Sequence, residues 1–241
     1  MKTLTIVIPA FNEAAYISTL LERVISIPTE TLGFAKEIIV VDDGSSDNTA
    51  ELASRFTAIK VLRQKNQGKG AAVQNGVKHA TGDYILVQDA DLEYDPLDYL
   101  PMLKVLNDNG VTSVYGSRQL GVLRSKGWQW PFPGRHNDQN LGPWVANILI
   151  SCVTVMFYGR WITDMLTAYK LYPTKIIQGY QIKTCGFETD HELTAKLIKS
   201  GIKIAEVPIS YIPRSIAEGK KIRARDGLIA VWTLIRFRFS N

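Results

Sequence analysis

Cysteine is scarce in this chain: Cys152 and Cys185 are the only two in 241 residues. Two thiols cannot build a disulfide framework, and their spacing fits no metal site. Long apolar runs are missing too. The longest goes from Trp144 to Tyr158, broken by Asn147 and Ser151, short of the roughly 20 residues that a bilayer-spanning helix needs. A buried helix is expected there, with a helix lying in a membrane interface as the alternative. Leu4–Ile8 is too brief for a secretory signal and ends at Pro9, so a reducing, cytosolic setting is expected. Neither Gly-x-Gly-x-x-Gly nor Gly-x-x-x-x-Gly-Lys-Ser/Thr occurs, which argues against a dinucleotide-binding fold and a P-loop NTPase. No serine or cysteine lies in a recognisable nucleophile motif, and there is no internal repeat.

What is present is an ordinary globular composition, 46% hydrophobic and 21% charged, enough for one large domain. The net charge is +5. The excess falls late, in Arg214, Lys220, Lys221, Arg223, Arg225, Arg236 and Arg238. Such a cluster suits nucleic acid, anionic lipid or a phosphorylated substrate, and charge alone does not choose among them.

The first half alternates apolar runs with helical patterns. Strands are expected at Leu4–Ile8, Glu37–Val41, Ile59–Leu62, Tyr84–Val87 and Ser113–Tyr115, with helices at about 13–27, 47–56, 69–80 and 97–108. Nearly all-apolar strands separated by helices predict an α/β fold with a mainly parallel sheet covered on both faces. Ligands then gather at the carboxyl ends of the strands. Residues 119–143, rich in glycine and proline and carrying Trp128 and Trp130, read as a long mobile loop with aromatic anchors. Beyond the apolar helix, a further helix is expected at about 188–200, strands at 202–207 and 209–212, a basic loop at 213–226 and a last helix from about 226.

The strand ends carry the chemistry. After Tyr84-Ile85-Leu86-Val87 comes Gln88-Asp89-Ala90-Asp91-Leu92-Glu93. Residues i and i+2 of an extended segment face one side, so Asp89 and Asp91 form a clamp of hard oxygens suited to Mg²⁺ or Mn²⁺ and, through it, to phosphates. In Asp42-Asp43-Gly44-Ser45-Ser46-Asp47, Asp47 or Ser46 can cap the next helix and Gly44 permits a tight turn. Capping leaves Asp42 and Asp43 unexplained, and nucleoside contact by Asp43 accounts for them better. Gly68-Lys69-Gly70 lets a helix start close to the sheet, with a nucleotide contact from Lys65 or Gln67. Arg118 ends the fifth strand on the same edge, either as a solvated side chain or as an anion clamp whose fork matches phosphate. Asp190 opens a helix, where it either complements the dipole or serves as a general base for an acceptor hydroxyl. His79, His136 and His191 are read as structural.

Together these pieces resemble an inverting GT-A glycosyltransferase of family 2, and within it the dolichyl- or polyprenyl-phosphate sugar transferase group. The resemblance rests on Ile8-Pro9-Ala10-Phe11-Asn12-Glu13, Val41-Asp42-Asp43-Gly44-Ser45, Asp89-Ala90-Asp91-Leu92, Gly116-Ser117-Arg118 and Glu206-Val207-Pro208-Ile209-Ser210-Tyr211 with Arg214 and Glu218-Gly219-Lys220. It implies a Rossmann-like catalytic domain over 1–225, with a nucleotide-sugar half at 1–118 and an acceptor half at 119–225, followed by a basic amphipathic helix at 226–241. Pro9, Phe11, Glu13, Val41, Asp43 and Ala90 are implied to hold the nucleotide sugar. Asp89 and Asp91 are implied to bind Mg²⁺ or Mn²⁺ and diphosphate, with Glu93 contributing. Arg118 and Arg135 are implied to meet the acceptor phosphate, and Arg214 and Lys220 the donor or acceptor phosphates. The implied partners are a nucleotide sugar of the GDP-mannose or UDP-glucose type, a lipid phosphate at the cytoplasmic face of a membrane, and a membrane-anchored subunit. Nucleic acid is not among them. Two features depart from the family: Phe11 stands where tyrosine is usual, and 119–143 is longer and more aromatic than the family's linker. A glycan or other hydroxyl acceptor, with Asp190 as base, is the alternative acceptor reading.

Two rivals explain less. A sugar-phosphate nucleotidyltransferase calls for a glycine-rich basic loop after the first strand, where this chain has Pro9–Glu13. A nucleic-acid-binding module leaves the acidic strand ends unexplained, since carboxylates repel phosphate.

Overall fold

The structure, a computed structural model, describes all residues except 109, 137–140, 214–223 and 241. Strands β1 (Lys2–Ala10), β2 (Phe34–Asp42), β3 (Ile59–Arg63), β4 (Tyr84–Val87), β5 (Ser113–Ser117), β6 (Lys170–Pro173) and β7 (Ile204–Pro208) form one sheet, ordered β3-β2-β1-β4-β6-β5-β7. Pairing is parallel except where β6 runs against β4 and β5. The mainly parallel, helix-covered sheet expected from the sequence is therefore present.

Period-2 alternation sorts each strand between two cores. Leu4, Ile6 and Ile8 of β1 join Ile38, Val40 and Leu86 on one face. Val7 joins Ile39, Val41, Ile85 and Val87 on the other. The first core is closed by α1 (Ile17–Ser26), α2 (Thr49–Ala53) and α4 (Tyr99–Asp108), and the second by α3 (Lys69–His79), α8 (Thr189–Lys199) and α9 (Ala224–Phe239). Short α7 (Thr174–Gln178) follows β6. Strand order reverses at β1 and β4, and their carboxyl ends carry Phe11–Glu13 and Asp89–Asp91. This is where an open α/β sheet forms its ligand crevice.

Three expectations need correction. The segment from 119 is not loop throughout: α5 (Arg118–Lys126) opens it, capped by Ser117 Oγ accepting from Leu120 N at 3.1 Å. The stretch 209–212 forms no strand; Tyr211 makes a single antiparallel bridge to Tyr94. The apolar helix, α6 (Leu141–Tyr158), is not a buried core helix. Its buried positions are Asn147, Ile150, Ser151 and Thr154, while Leu149 and Met156 are 58% and 77% exposed. The physical reason is the segment it packs on. Asn147 Nδ2 donates to Thr163 O (2.7 Å), Asn147 Oδ1 accepts from Met165 N (2.9 Å), and Ser151 Oγ donates to Ile162 O (2.7 Å). Irregular backbone at 162–166 needs hydrogen-bond partners, and α6 supplies them from its polar side.

Candidate active site

A cavity of about 790 Å³ lies along the carboxyl edge of the sheet. Pro9, Phe11, Glu13 and Asp43 line one end, and Asp89, Ala90, Asp91 and Glu93 its centre. Arg118 and Asp190 face them, and the amino-terminal turns of α6 and α9 complete the wall with Gly142, Pro143, Ala146, Asp226 and Gly227. Ten sequence-predicted residues thus meet in one space. Val41 does not; it is fully buried in the core beneath. Arg135 lies outside the cavity, its guanidinium 5.6 Å from the Phe132 ring. Arg214 and Lys220 fall outside the described residues.

At the first end, two strand ends lock together. Asn12 has φ +55°; its amide donates to Ser45 Oγ and its side chain accepts from Ser46 N. Glu13 N donates to Thr49 Oγ1 at 2.8 Å. Turn-capping belongs to Asp47, which accepts from Thr49 N (3.0 Å) and Ala14 N (3.2 Å). Asp43 organises the next loop: it accepts from Gln64 Nε2 (2.8 Å), Gln67 N (2.9 Å) and Gly68 N (2.8 Å). A carboxylate has about four acceptor sites, so capacity for one more donor remains.

The glycines of Gly68-Lys69-Gly70 serve a close approach, to the 185–189 loop rather than to the sheet. A Cβ on Gly70 would lie 2.5 Å from Gly186 O. This contact brings Lys69 against the acids. Its Nζ is 2.6 Å from Asp89 Oδ1. Burial alone would lower the Lys69 pKa, but the charges of Asp89, Asp190 and Asp91 outweigh it and raise it. The acid pair therefore already attracts a cation, which is the donor chemistry a hard divalent ion requires. Among the described residues no three carboxylate, imidazole or thiolate groups gather into a metal cluster, so Asp89 and Asp91 would offer Mg²⁺ or Mn²⁺ a pair of hard oxygens, with substrate phosphate supplying further ligands.

Beneath the acids, buried Gln88 fixes the turn. Tyr99 OH and Tyr169 OH each donate to its Oε1 at 2.6 Å, and its Nε2 donates to Asp89 O at 2.8 Å. Leu92 has φ +60°, a conformation a branched side chain seldom adopts outside a constrained site. Glu93 accepts from Tyr211 OH at 2.7 Å and, through its carbonyl, from Ile212 N at 2.9 Å.

Arg118 is no solvated surface arginine. Its Nε and Nη2 fork onto Asp164 at 2.7 and 2.8 Å, and its guanidinium sits 4.9 Å from the Tyr211 ring centroid. Asp190 stands in the first turn of α8 and lines the cavity wall. His191 is buried, and burial, then the Lys170 charge, pushes its pKa down to about 3. Sequence reasoning missed Lys69, Asp164 and Tyr211. Tyr211 lay within a recognised stretch and Lys69 between two glycines, whereas Asp164 sits in irregular chain with no local signal.

Comparison with known proteins gives consistent results. A sequence model of the family described as "Glycosyl transferase family 2" matches residues 5–159. The chain is 30% identical over 220 residues to a dolichol-phosphate mannosyltransferase of Pyrococcus furiosus, covering 90% of this chain and 58% of that protein's length. It is 30% identical over 238 residues to glycosyltransferase AglJ of Haloferax volcanii, covering 98% of this chain and 72% of that one. Among solved structures, glucosyl-3-phosphoglycerate synthase of Mycobacterium tuberculosis, crystallised with Mn²⁺, UDP and phosphoglyceric acid, superposes with a TM-score of 0.71 over 99% of this chain and 79% of that one. At 17% identity that likeness speaks to the fold.

Proposed function

Because this chain belongs to glycosyl transferase family 2 and is a glycosyltransferase, we propose that it moves a hexose from a nucleoside diphosphate sugar to a polyprenyl phosphate. The observation carrying this reading is a single cavity with acids at its centre, Arg118 opposite, and a wall made by two helices whose outer faces are apolar. In this reading Pro9, Phe11, Glu13 and Asp43 receive the nucleoside. Asp89 and Asp91, with Glu93 beside them, hold Mg²⁺ or Mn²⁺, which supplies positive charge against the departing diphosphate. Arg118, with Arg214 and Lys220, binds phosphate, whereas Arg135, outside the cavity, has no part in this reading. Residues 1–118 serve the donor, 119–225 the acceptor, and 226–241 the membrane.

The acceptor phosphate is already anionic, so one of its oxygens attacks the anomeric carbon without a strong base. The bond from that carbon to the diphosphate breaks, and its electron pair leaves with the nucleoside diphosphate. Displacement from the opposite side inverts the configuration, so an α-linked donor gives a β-linked product. A hydroxyl acceptor would instead need Asp190 to take its proton, and the position of Asp190 on the wall keeps that reading alive.

The apolar faces favour lipid. Leu149 and Met156 of α6, and Leu228, Trp232 and Phe239 of α9, are exposed, with Arg225, Arg236 and Arg238 on α9 to meet anionic headgroups. The test is sugar transfer from a panel of GDP- and UDP-sugars, with Mn²⁺, to polyprenyl phosphate carried in anionic vesicles. Lipid-linked sugar should form with one donor, and more slowly in neutral vesicles. Transfer to glycans with none to lipid phosphate would overturn the reading.

A further inference from the structure

Asp164 is almost completely buried, at 1% exposure, and lies behind Arg118 rather than in the main cavity. Its Oδ2 accepts from both the backbone amide (2.9 Å) and Nε (2.7 Å) of Arg118, and its Oδ1 accepts from Nη2 (2.8 Å). The segment that carries Asp164 is held from three sides. Glu206 of β7 accepts from Thr163 N at 2.8 and 2.9 Å, from Thr163 Oγ1 at 2.6 Å and from Asp164 N at 3.3 Å. Ser117, the residue before Arg118, shares a 2.6 Å hydrogen bond with Thr163 Oγ1. Asn147 and Ser151 bind the same segment from α6.

So much hydrogen bonding around one carboxylate exceeds what a structural ion pair needs, because a buried pair is seldom a large net stabiliser. It does fix a guanidinium in a single pose. The fork occupies Nε and Nη2, the Tyr211 ring covers one face of the guanidinium plane, and Nη1 takes no part in the fork. We propose that Asp164, backed by Glu206, is a positioning residue that aims Arg118 at the acceptor anion and so sets the line of attack. The proposal rests on the reading above that Arg118 meets that anion.

A charge argument separates orientation from binding. Asp164 neutralises most of the Arg118 charge, so its purpose is not to strengthen anion attraction. In Asp164→Asn the amide oxygen can keep the two bonds made by Oδ2, but the amide NH₂ then faces Nη2, donor against donor. The guanidinium tips while its charge, no longer balanced, still attracts phosphate. An attacking oxygen misplaced by about 1 Å costs on the order of 100-fold in rate.

The experiment is steady-state kinetics of wild type, Asp164→Asn and Asp164→Glu with the donor and lipid phosphate that the wild type uses. Electron paramagnetic resonance titration with Mn²⁺ and nucleoside diphosphate reports whether each variant is folded. Asp164→Asn should lose roughly 10- to 100-fold in kcat, with KM for the acceptor unchanged or lower and KM for the donor unchanged. Asp164→Glu, which keeps the charge and can remake the fork, should recover most of that loss. A rise in acceptor KM that accounts for the loss, an equal loss in donor hydrolysis without acceptor, or no loss at all would overturn the proposal. A wild type that transfers nothing to lipid phosphate would overturn the functional reading itself, and this inference with it.

Discussion

Lys69 places a positive charge among the acids at the centre of the cavity. Its ammonium stands 2.6 Å from Asp89, both side chains about one-fifth exposed, where a divalent ion's charge would otherwise be needed. Three carboxylates around it, those of Asp89, Asp190 and Asp91, keep it protonated against the pull of burial. An ammonium is a point charge on a flexible stem, able to leave when a stronger cation arrives. If a divalent cation binds Asp89 and Asp91 as proposed, Lys69 competes with it for the same oxygens. Replacing it with methionine should tighten Mn²⁺ binding in donor-free protein by about tenfold, close to 1.4 kcal/mol, read by electron paramagnetic resonance. Weaker Mn²⁺ binding by Lys69→Met would show instead that the lysine helps hold the ion. The spacing of Asp89 and Asp91 was legible in the sequence because a strand end fixes alternation. The competitor was not, because what brings Lys69 there is the close contact of Gly70 with the 185–189 loop, a long-range event.

Elements were legible where their physics is local. Strands β1, β2 and β4 are apolar runs because both faces are covered, and each was found within a few residues. The apolar content of α6 suggested burial for the opposite reason: its polar residues look inward to satisfy the 162–166 backbone, a partner that sequence spacing cannot reveal. Glycine and proline between 119 and 143 hid α5, whose start depends on the single cap from Ser117. Just before α4, Asp98 accepts from Ser210 N at 2.7 Å and ties Ser210 to the start of that helix. Burial raises its pKa to about 6. The folded protein therefore binds this proton more tightly than the unfolded chain, so the Asp98 contribution to stability is greatest at low pH. It declines as pH rises from about 4 to about 6, then levels off. Asp98→Asn keeps an acceptor for Ser210 N without the titration. Thermal melts across that window should lose part of their downward slope in the variant, and an unchanged slope would place the titrating group elsewhere.

At the scale of the molecule, one sheet edge, two helix ends and one buried ion pair converge on a single cavity. The acids come from the amino-terminal half of the chain, while Asp164, Asp190 and Tyr211 come from the carboxyl-terminal half, joined because β6 inserts between β4 and β5. The amino-terminal part of the cavity was readable from sequence because its side chains sit at strand ends. The rest was only partly readable, because Arg118 is paired with Asp164, 46 positions away in the chain. In the proposed function a cation at Asp89 and Asp91 holds the diphosphate of the donor. Calorimetric titration of GDP and UDP into wild type and Asp91→Asn, each with and without Mn²⁺, tests it most directly. One nucleotide should bind wild type at least tenfold more tightly with Mn²⁺, and Asp91→Asn should lose that gain. Equal affinity with and without Mn²⁺ in wild type, or a gain that survives in Asp91→Asn, would contradict the account.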